Sequence, residues 1–431
     1  MARADLSIGD RSWRRFGRCW QLKCAQFRGM RGVCAVCLGP LACSSMAPSQ
    51  RAAESPSKVH RATPEPFRFE KWETETRSPR DASVEPSLER LQKLCGRTDA
   101  ALTAVADRLA RDEHFGSRPD DLDRLAFALR ASGSPYVWPR AWSLRISKSQ
   151  PELEILLPRF EHWLGSFNDG GQRRCGISRA AGQTSTLYTA VVSDVVADLI
   201  KPLPTRVRTG QWLQLQVLLL ADASEAKVIL EGPRDEPVVV PASIDQRQVR
   251  SNIPMSGPGP WLVQVLATMD SGPRPVLEAE VFADEEPPKQ LELRSAPGES
   301  ASGQVRNSTE SLYGMLNAAR LESGRKALIR DPRLDQLAQE HANAMLAAGR
   351  VGHDVGDGSP KNRLENAGIF ASLAGENVAH AADAIRAHRA LWASPSHRSN
   401  ILHRGFRNVG LGVVRGPDNT VWACELFAAL D

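Results

Sequence analysis

Several absences narrow the field first. No uninterrupted apolar run reaches the roughly 18–20 residues that a bilayer-spanning helix needs. Cys34-Ala-Val-Cys37 has no second Cys-x-x-Cys to match it, so a structural zinc module lacks a ligand set. There is no His-Glu-x-x-His helix, no Gly-x-Ser-x-Gly elbow, no papain-like cysteine context and no phosphate-cradling glycine loop. The body of the chain also lacks basic excess. The net charge is +5, but residues 1–31 hold eight Lys/Arg against Asp5 and Asp10, which leaves the remaining 400 residues at −1. Phosphate backbones need a basic footprint, so nucleic acid is dropped as a partner.

What remains is a 431-residue chain, 42% hydrophobic and 24% charged, enough soluble globular material for two or three domains. The N-terminus reads as a leader over residues 1–43. Arg28 and Arg31 precede an apolar stretch from Gly32 to Ala42, and small residues follow, the order of an export signal with translation starting at Met30. Pro40-Leu41-Ala42-Cys43 is similar to a bacterial lipobox, which implies a lipidated Cys43 as membrane anchor; Pro40 stands where such motifs prefer Leu. A basic cytoplasmic tail is the competing reading. Export would let Cys95 and Cys175 pair and leave Cys424 over. Residues 44–86, rich in Ser, Pro and charge, read as a disordered tether.

Residues 87–199 show helical spacing at Leu102/Val105/Ala106/Leu109 and Leu122/Leu125/Leu129. Over residues 200–285 the period switches to two, with Leu213, Leu215, Val217 and Leu219 alternating with glutamines. Short runs separated by "SGPGP" and "SGPRP" predict an immunoglobulin-like β-sandwich, with Trp212 and Trp261 as core or rim packing. Residues 286–306 read as a linker. Residues 307–431 begin with helices: Leu312, Met315, Leu316 and Ala319 share one face, and a second helix is capped by Asp331, opened by Pro332 and closed at Gly349. Ser394-Pro395 repeats the cap-then-proline device. A terminal hairpin turns at Gly416–Asn419, so the domain is expected to be a sheet covered by helices.

This last domain resembles the CAP superfamily of cysteine-rich secretory, antigen-five and pathogenesis-related proteins, closest to its bacterial exported branch. The stretches that carry the resemblance are "LNAARLESG", "LDQLAQEHANAML", "GHDVGDGSPKNRLENAG", "AGENVAH", "SPSHRSNIL", "FRNVGLGVV" and "VWACELFA", in that order over about 120 residues. The resemblance implies an α-β-α sandwich with a cavity of two His and two Glu, which fall on His353, Glu376 and His397; Leu391-Trp392-Ala393-Ser394 supplies no second Glu. An internal echo accompanies it. His114 and Arg124-Leu125 are spaced as His353 and Arg363-Leu364, and "RRCGISRAAG" parallels "RNVGLGVVRG", with "SGSPYVW" standing where the second copy has "AGENVAH". The fold class is therefore α/β plus all-β, with an N-terminal domain that is either helical or a degenerate CAP-like copy.

Two imidazoles and a carboxylate from separate elements are what an open zinc or other divalent-metal site uses. The alternative is a polar cavity in which the same groups hold loops together. His341, His380, His388 and His403 read as surface or packing residues, Asn377 as a loop fastener, Asp357 as a local cap or a support to His353, and Cys424 as an inert buried thiol. The functional expectation is an exported, lipid-anchored binding or scaffold module in the envelope or outside the cell, engaging an envelope polymer, lipid or protein. The alternative is a divalent-metal hydrolase, peptidase-like, with Glu376 as base and His353 and His397 as ligands.

Overall fold

Alternation governs more of the N-terminal domain than its leucine spacing suggests. Trp142, Leu144 and Ile146 bury one face of a strand, and Tyr188, Ala190 and Val192 bury the strand beside it. In the computed structural model, which describes residues 72–74, 76, 88–112, 121–167, 170–233, 236–303 and 308–430, the chain runs α1 (Glu89–Cys95), β1 (Arg97–Thr98), α2 (Ala100–Ala110), α3 (Asp121–Ala131), β2 (Arg140–Ser147), α4 (Glu152–Gly165), β3 (Gln172–Ala181), β4 (Ser185–Val195). The sheet order is β1-β3-β4-β2, with helices over it. A purely helical domain is thereby overturned. Its leucines do form helix faces, but they pack on a sheet whose strands also carry Arg, Ser and Thr, and these blur the two-residue period.

Nine strands follow among the described residues: β5 (Ala197–Leu199), β6 (Arg206–Val207), β7 (Trp212–Leu219), β8 (Glu225–Glu231), β9 (Val238–Val240), β10 (Ala242–Asp245), β11 (Gln248–Pro254), β12 (Gly259–Met269) and β13 (Gly272–Ala283). They form two sheets, β10-β11-β7-β5 and β6-β13-β12-β8-β9, that share one core. Leu213, Leu215, Val217 and Leu219 enter that core as their alternation predicts. Trp261 joins them, whereas Trp212 is 65% exposed and packs in no core.

The C-terminal domain comprises α5 (Ser308–Glu322), β14 (Ile329–Arg330), α6 (Pro332–Ala348), α7 (Pro360–Asn366), β15 (Ala371–Ala381), α8 (Ala384–Ala393), α9 (Pro395–Leu402), β16 (Asn408–Arg415) and β17 (Val421–Leu430). Its sheet, β14-β16-β17-β15, is buried on both sides. Val421, Ala423 and Phe427 meet α5, α8 and α9, while Trp422, Cys424, Leu426 and Ala428 meet α6. β15 is an edge strand, and the site lies along it.

The first and last sheets share strand order and strand direction. The likeness reaches single residues. Asp99 and Asp331 each follow a two-residue strand and cap a helix; their N–H groups bond to the carbonyls of Cys175 and Val409. A Cβ on Gly176 would strike the backbone of Leu102, and one on Gly410 that of Leu334, so each helix lies directly on a glycine of its sheet. The register pairs Gly176, Val191 and Ala141 as it pairs Gly410, Leu426 and Glu376. The counterpart of Glu376 is therefore Ala141, not a residue of "SGSPYVW", because the strand starts only at Arg140. Likewise Trp142 and Ala190 stand where Asn377 and Glu425 stand.

The described residues of two segments read as unstructured make specific contacts. Trp72, inside the expected tether, is buried edge-on against Phe127 and Phe282, and Thr76 bonds to Leu203. In the expected linker, Glu299 forms a two-pronged ion pair with Arg389, both bonds at 2.7 Å, and Pro297 accepts a bond from His388. Cys95 and Cys175 are joined, with Cα atoms 6.1 Å apart. Met30, Cys43 and His114 lie outside the described residues.

Candidate functional site

Glu376 is the hub. It sits on β15, faces α6 and is 5% exposed. His353 Nδ1 donates to its Oε1 at 2.9 Å, and His341 Nε2 lies 3.7 Å from the same oxygen. Oε2 accepts from the Arg363 guanidinium and, at 3.4 Å, from the Cys424 thiol. Burial alone would raise the carboxyl pKa. The bond from His353 and the charges of His341 and Arg363 outweigh it and hold Glu376 below the ordinary glutamate value, as a carboxylate. Burial and the Glu376 charge push the Cys424 thiol well up, so it stays protonated and inert.

Local folding delivers these partners. Ser359 and Asn362 close a capping box that starts α7, and Arg363 follows on its buried side. From there Arg363 Nη1 also donates to the carbonyls of His353 at 2.9 Å and Gly358 at 2.6 Å. The ten-residue spacing from His353 to Arg363 is this loop clamp. His341 lies on the buried face of α6 with Leu334, Leu337, Ala338, Ala342 and Met345. Its Nδ1 faces Asp357 at 2.7 Å and its Nε2 the carbonyl of Gly352 at 2.9 Å; both partners only accept, so both ring nitrogens donate.

His397 approaches the same edge from α9. Its Nδ1 is 2.8 Å from the Ser394 hydroxyl, which makes no cap bond to its own helix. The Ser396 N–H donates to Gln264 Oε1, which orients that amide, and Gln264 Nε2 donates to Glu278 at 2.7 Å and to Ser394 at 3.4 Å. Ser394 Oγ also lies 3.3 Å from Ser396 Oγ, so its one proton and two lone pairs are shared among Gln264, Ser396 and His397. Burial pushes the His397 pKa well down, with His353 adding to the effect, so the ring is neutral.

The side chains of His353 and His397 line one cavity of about 50 Å³ with Val351, Gly352 and Val378. Its other wall comes from elsewhere in the chain: Ser271, Pro273, Arg274 and Pro275 of the β12–β13 turn, and Trp138. Gly272 has φ +97°, and a Cβ there would come 2.9 Å from the Cβ of His353, so only glycine allows this approach. Trp138 holds φ +59°, a strained conformation for so large a residue, and its Nε1 donates to Pro275 at 2.9 Å. Trp138 also borders a second cavity of about 170 Å³ between α3 and α8, where Leu122, Leu129 and several alanines alternate with Asp123, Arg130, Glu278, Arg386 and Arg389.

The structure therefore places His353 and Glu376 in direct contact and brings His397 to the cavity that His353 lines. Sequence reasoning missed His341, Arg363 and Glu425. The helical period of α6 marks His341 as buried, and the echoed His-to-Arg spacing points at Arg363. Nothing local marks Glu425, a fully buried carboxyl that accepts from Asn377 at 3.0 Å and whose pKa burial raises to about 7. Asn377 is a buried strand residue rather than a loop fastener; it donates to the carbonyl of His397 and accepts from Asn400. Asp357 serves His341 rather than His353. Among the described residues, no group of three or more His, Cys, Asp or Glu is arranged to hold a metal ion.

Residues 313–426 match the family model described as the cysteine-rich secretory protein family, CAP. The C-terminal domain is a CAP domain. Solved structures similar to parts of the chain include an outer surface protein from Borrelia burgdorferi, 20% identical with a TM-score of 0.27 over 29% of this chain and 95% of that one. An extracellular SCP-domain protein from Bacillus anthracis is 15% identical with a TM-score of 0.27, over 50% of this chain and 82% of that one. A cysteine-rich secretory protein from Staphylococcus aureus is 13% identical with a TM-score of 0.25, over 55% and 82%. No curated protein matches the chain. Among the described residues, no helix of the chain is long and apolar enough to cross a membrane.

Proposed function

We propose that this CAP protein is exported, anchored through a lipidated Cys43, and acts as a binding or scaffold module whose pocket holds a ligand without cleaving it. The observation that carries the reading is the saturation of Glu376. A general base needs a carboxylate oxygen within reach of substrate, and here both oxygens face protein donors. The same donors make zinc or another divalent ion a poor fit. Such an ion needs free carboxylate lone pairs, whereas Glu376 is surrounded by His353, His341, Arg363 and Cys424. The Cys95–Cys175 bond favours an oxidising compartment, in keeping with the Met30 leader. On this reading the partner is an envelope polymer, lipid or protein. The central two-sheet domain is an immunoglobulin-like spacer, and residues 88–199 are a second CAP-like copy that lost its polar site to Ala141, Trp142 and Ala190.

The test compares wild type with Glu376→Gln on peptide and ester substrates. Equal, background-level rates are expected; hydrolysis that disappears in the variant would favour the metal-hydrolase alternative. Mass spectrometry of the mature N-terminus tests the anchor, and an intact peptide spanning Ala42–Cys43 would defeat it.

A further inference from the structure

We propose that the outward face of the sheet β10-β11-β7-β5 is a receptor for an acidic polysaccharide strand, with Trp212 stacking on one sugar ring and the amides of Gln214, Gln216 and Asn252 bonding to hydroxyls. This rests on the binding-module reading and names its partner, and it puts the contact on the central domain rather than in the CAP cavity. Alternation makes the face. Leu213, Leu215, Val217 and Leu219 of β7 enter the core, which turns Trp212, Gln214 and Gln216 outward. The antiparallel register sets Asn252 of β11 opposite Gln214 and Arg250 opposite Gln216, with Ser243 of β10 on the far side of Arg250. From Trp212 to Gln216 the row runs about 13 Å at ~3.3 Å per residue, longer than a single sugar ring. Two adjoining grooves of about 630 and 490 Å³ lie over it and share Gln214 and Asn252, whereas the CAP cavity holds about 50 Å³.

The chemistry of the face selects the partner. At 65% exposure the Trp212 indole adds nothing to the core of its own sheet, and its ring is open to a flat apolar surface such as the C–H face of a sugar. Among the described residues, neither that indole nor the side-chain amides of Gln214, Gln216 and Asn252 makes a hydrogen bond or ring contact. Each amide carries donors and an acceptor side by side, which matches hydroxyls that both donate and accept. The charged residues lining the two grooves are Lys201 beside Trp212 and Arg250 beside Gln216, with no Asp or Glu. Neither cation forms an ion pair among the described residues; Arg250 gives one N–H to the neutral Gln248 amide at 2.7 Å and keeps four others. Two cations at opposite ends of a neutral amide row complement a strand with carboxylates spaced along it. Nucleic acid would need a wider basic footprint, and a protein partner an apolar centre larger than Trp212 and Leu218 provide.

The experiment titrates the full chain with the tetramers of galacturonate and mannuronate, with cellotetraose as a neutral sugar and with tetraglutamate as an acidic chain without rings, followed by calorimetry and tryptophan fluorescence. A uronate tetramer is expected to saturate the chain and shift its tryptophan emission, with cellotetraose and tetraglutamate each weaker by about tenfold or more. Trp212→Ala should abolish the emission shift and weaken uronate binding about tenfold, as should Gln214→Ala combined with Asn252→Ala. These side chains are exposed, so the thermal midpoint should not move. Lys201→Gln combined with Arg250→Gln should bring the uronate down to the affinity of cellotetraose. No saturation by either uronate, equal affinity for cellotetraose or tetraglutamate, or unchanged uronate affinity in Trp212→Ala would overturn the proposal. Hydrolysis of a peptide or ester that is lost in Glu376→Gln would instead sink the non-catalytic reading, whatever Trp212→Ala does to uronate binding.

Discussion

Glu425→Gln offers a quantitative test of how the sheet handles buried charge. Glu425 has no exposed surface; its Oε2 accepts from Asn377, and its Oε1 has no partner. Burial raises its pKa from 4.5 to about 7, and the Asn377 bond offsets this only in part. The sign follows from linkage. Below pH 4.5 the folded and unfolded chains both hold the proton, so the group imposes no pH-dependent penalty. Between pH 4.5 and about 7 the unfolded chain releases it and the folded chain keeps it, so stability falls as pH rises through that window and then levels off. A shift of this size corresponds to about 3 kcal/mol at 1.36 kcal/mol per pH unit. Glutamine keeps the shape and the acceptor for Asn377 but never ionises. Denaturant unfolding from pH 4.5 to 8.5 should show the variant's advantage growing with pH to about 3 kcal/mol at pH 8, with most of the gain before pH 7.5. Other raised carboxyls, such as Glu231 at about 7, occur in both proteins and cancel in the difference. An advantage independent of pH, or a variant less stable at pH 8, would refute the reasoning.

Other perturbations test the site and the repeated framework. Arg363→Ala removes the guanidinium partner of the buried Glu376 carboxylate together with the clamp on the His353 and Gly358 carbonyls and should cost about 3–5 kcal/mol by chemical denaturation, with Arg363→Lys recovering part of it. Gly410→Ala and Gly176→Ala each place a methyl against helix backbone and should destabilise their own sheets by about 1–3 kcal/mol or more; a neutral result at either would break the equivalence of the two helix contacts. Replacing both Cys95 and Cys175 with serine opens a link spanning 80 residues and should cost about 4 kcal/mol, read as a lower thermal midpoint that matches wild type under reductant.

Much of this molecule was legible in the chain because the relevant forces are local. Helix faces, the Asp331-Pro332 start, the Gly349 stop and the alternation of β7 each depend on residues a few positions apart. His353, Glu376 and His397 were named by the family resemblance, and His341, read as a surface or packing residue, lies on the helix face that the spacing of α6 buries. Tertiary structure decided the rest. Whether Glu376 is a free base or a saturated anchor depends on Arg363 and Cys424, brought to it by α7 and by the β15–β17 register. The strand content of residues 140–195 depended on which side chains found a sheet to pack against. Arg274, more than a hundred residues before His397, reaches its cavity only because a glycine turn fits against His353. A side chain's chemistry depends on which donors and acceptors surround it after burial, and those partners come from segments that sequence spacing does not relate.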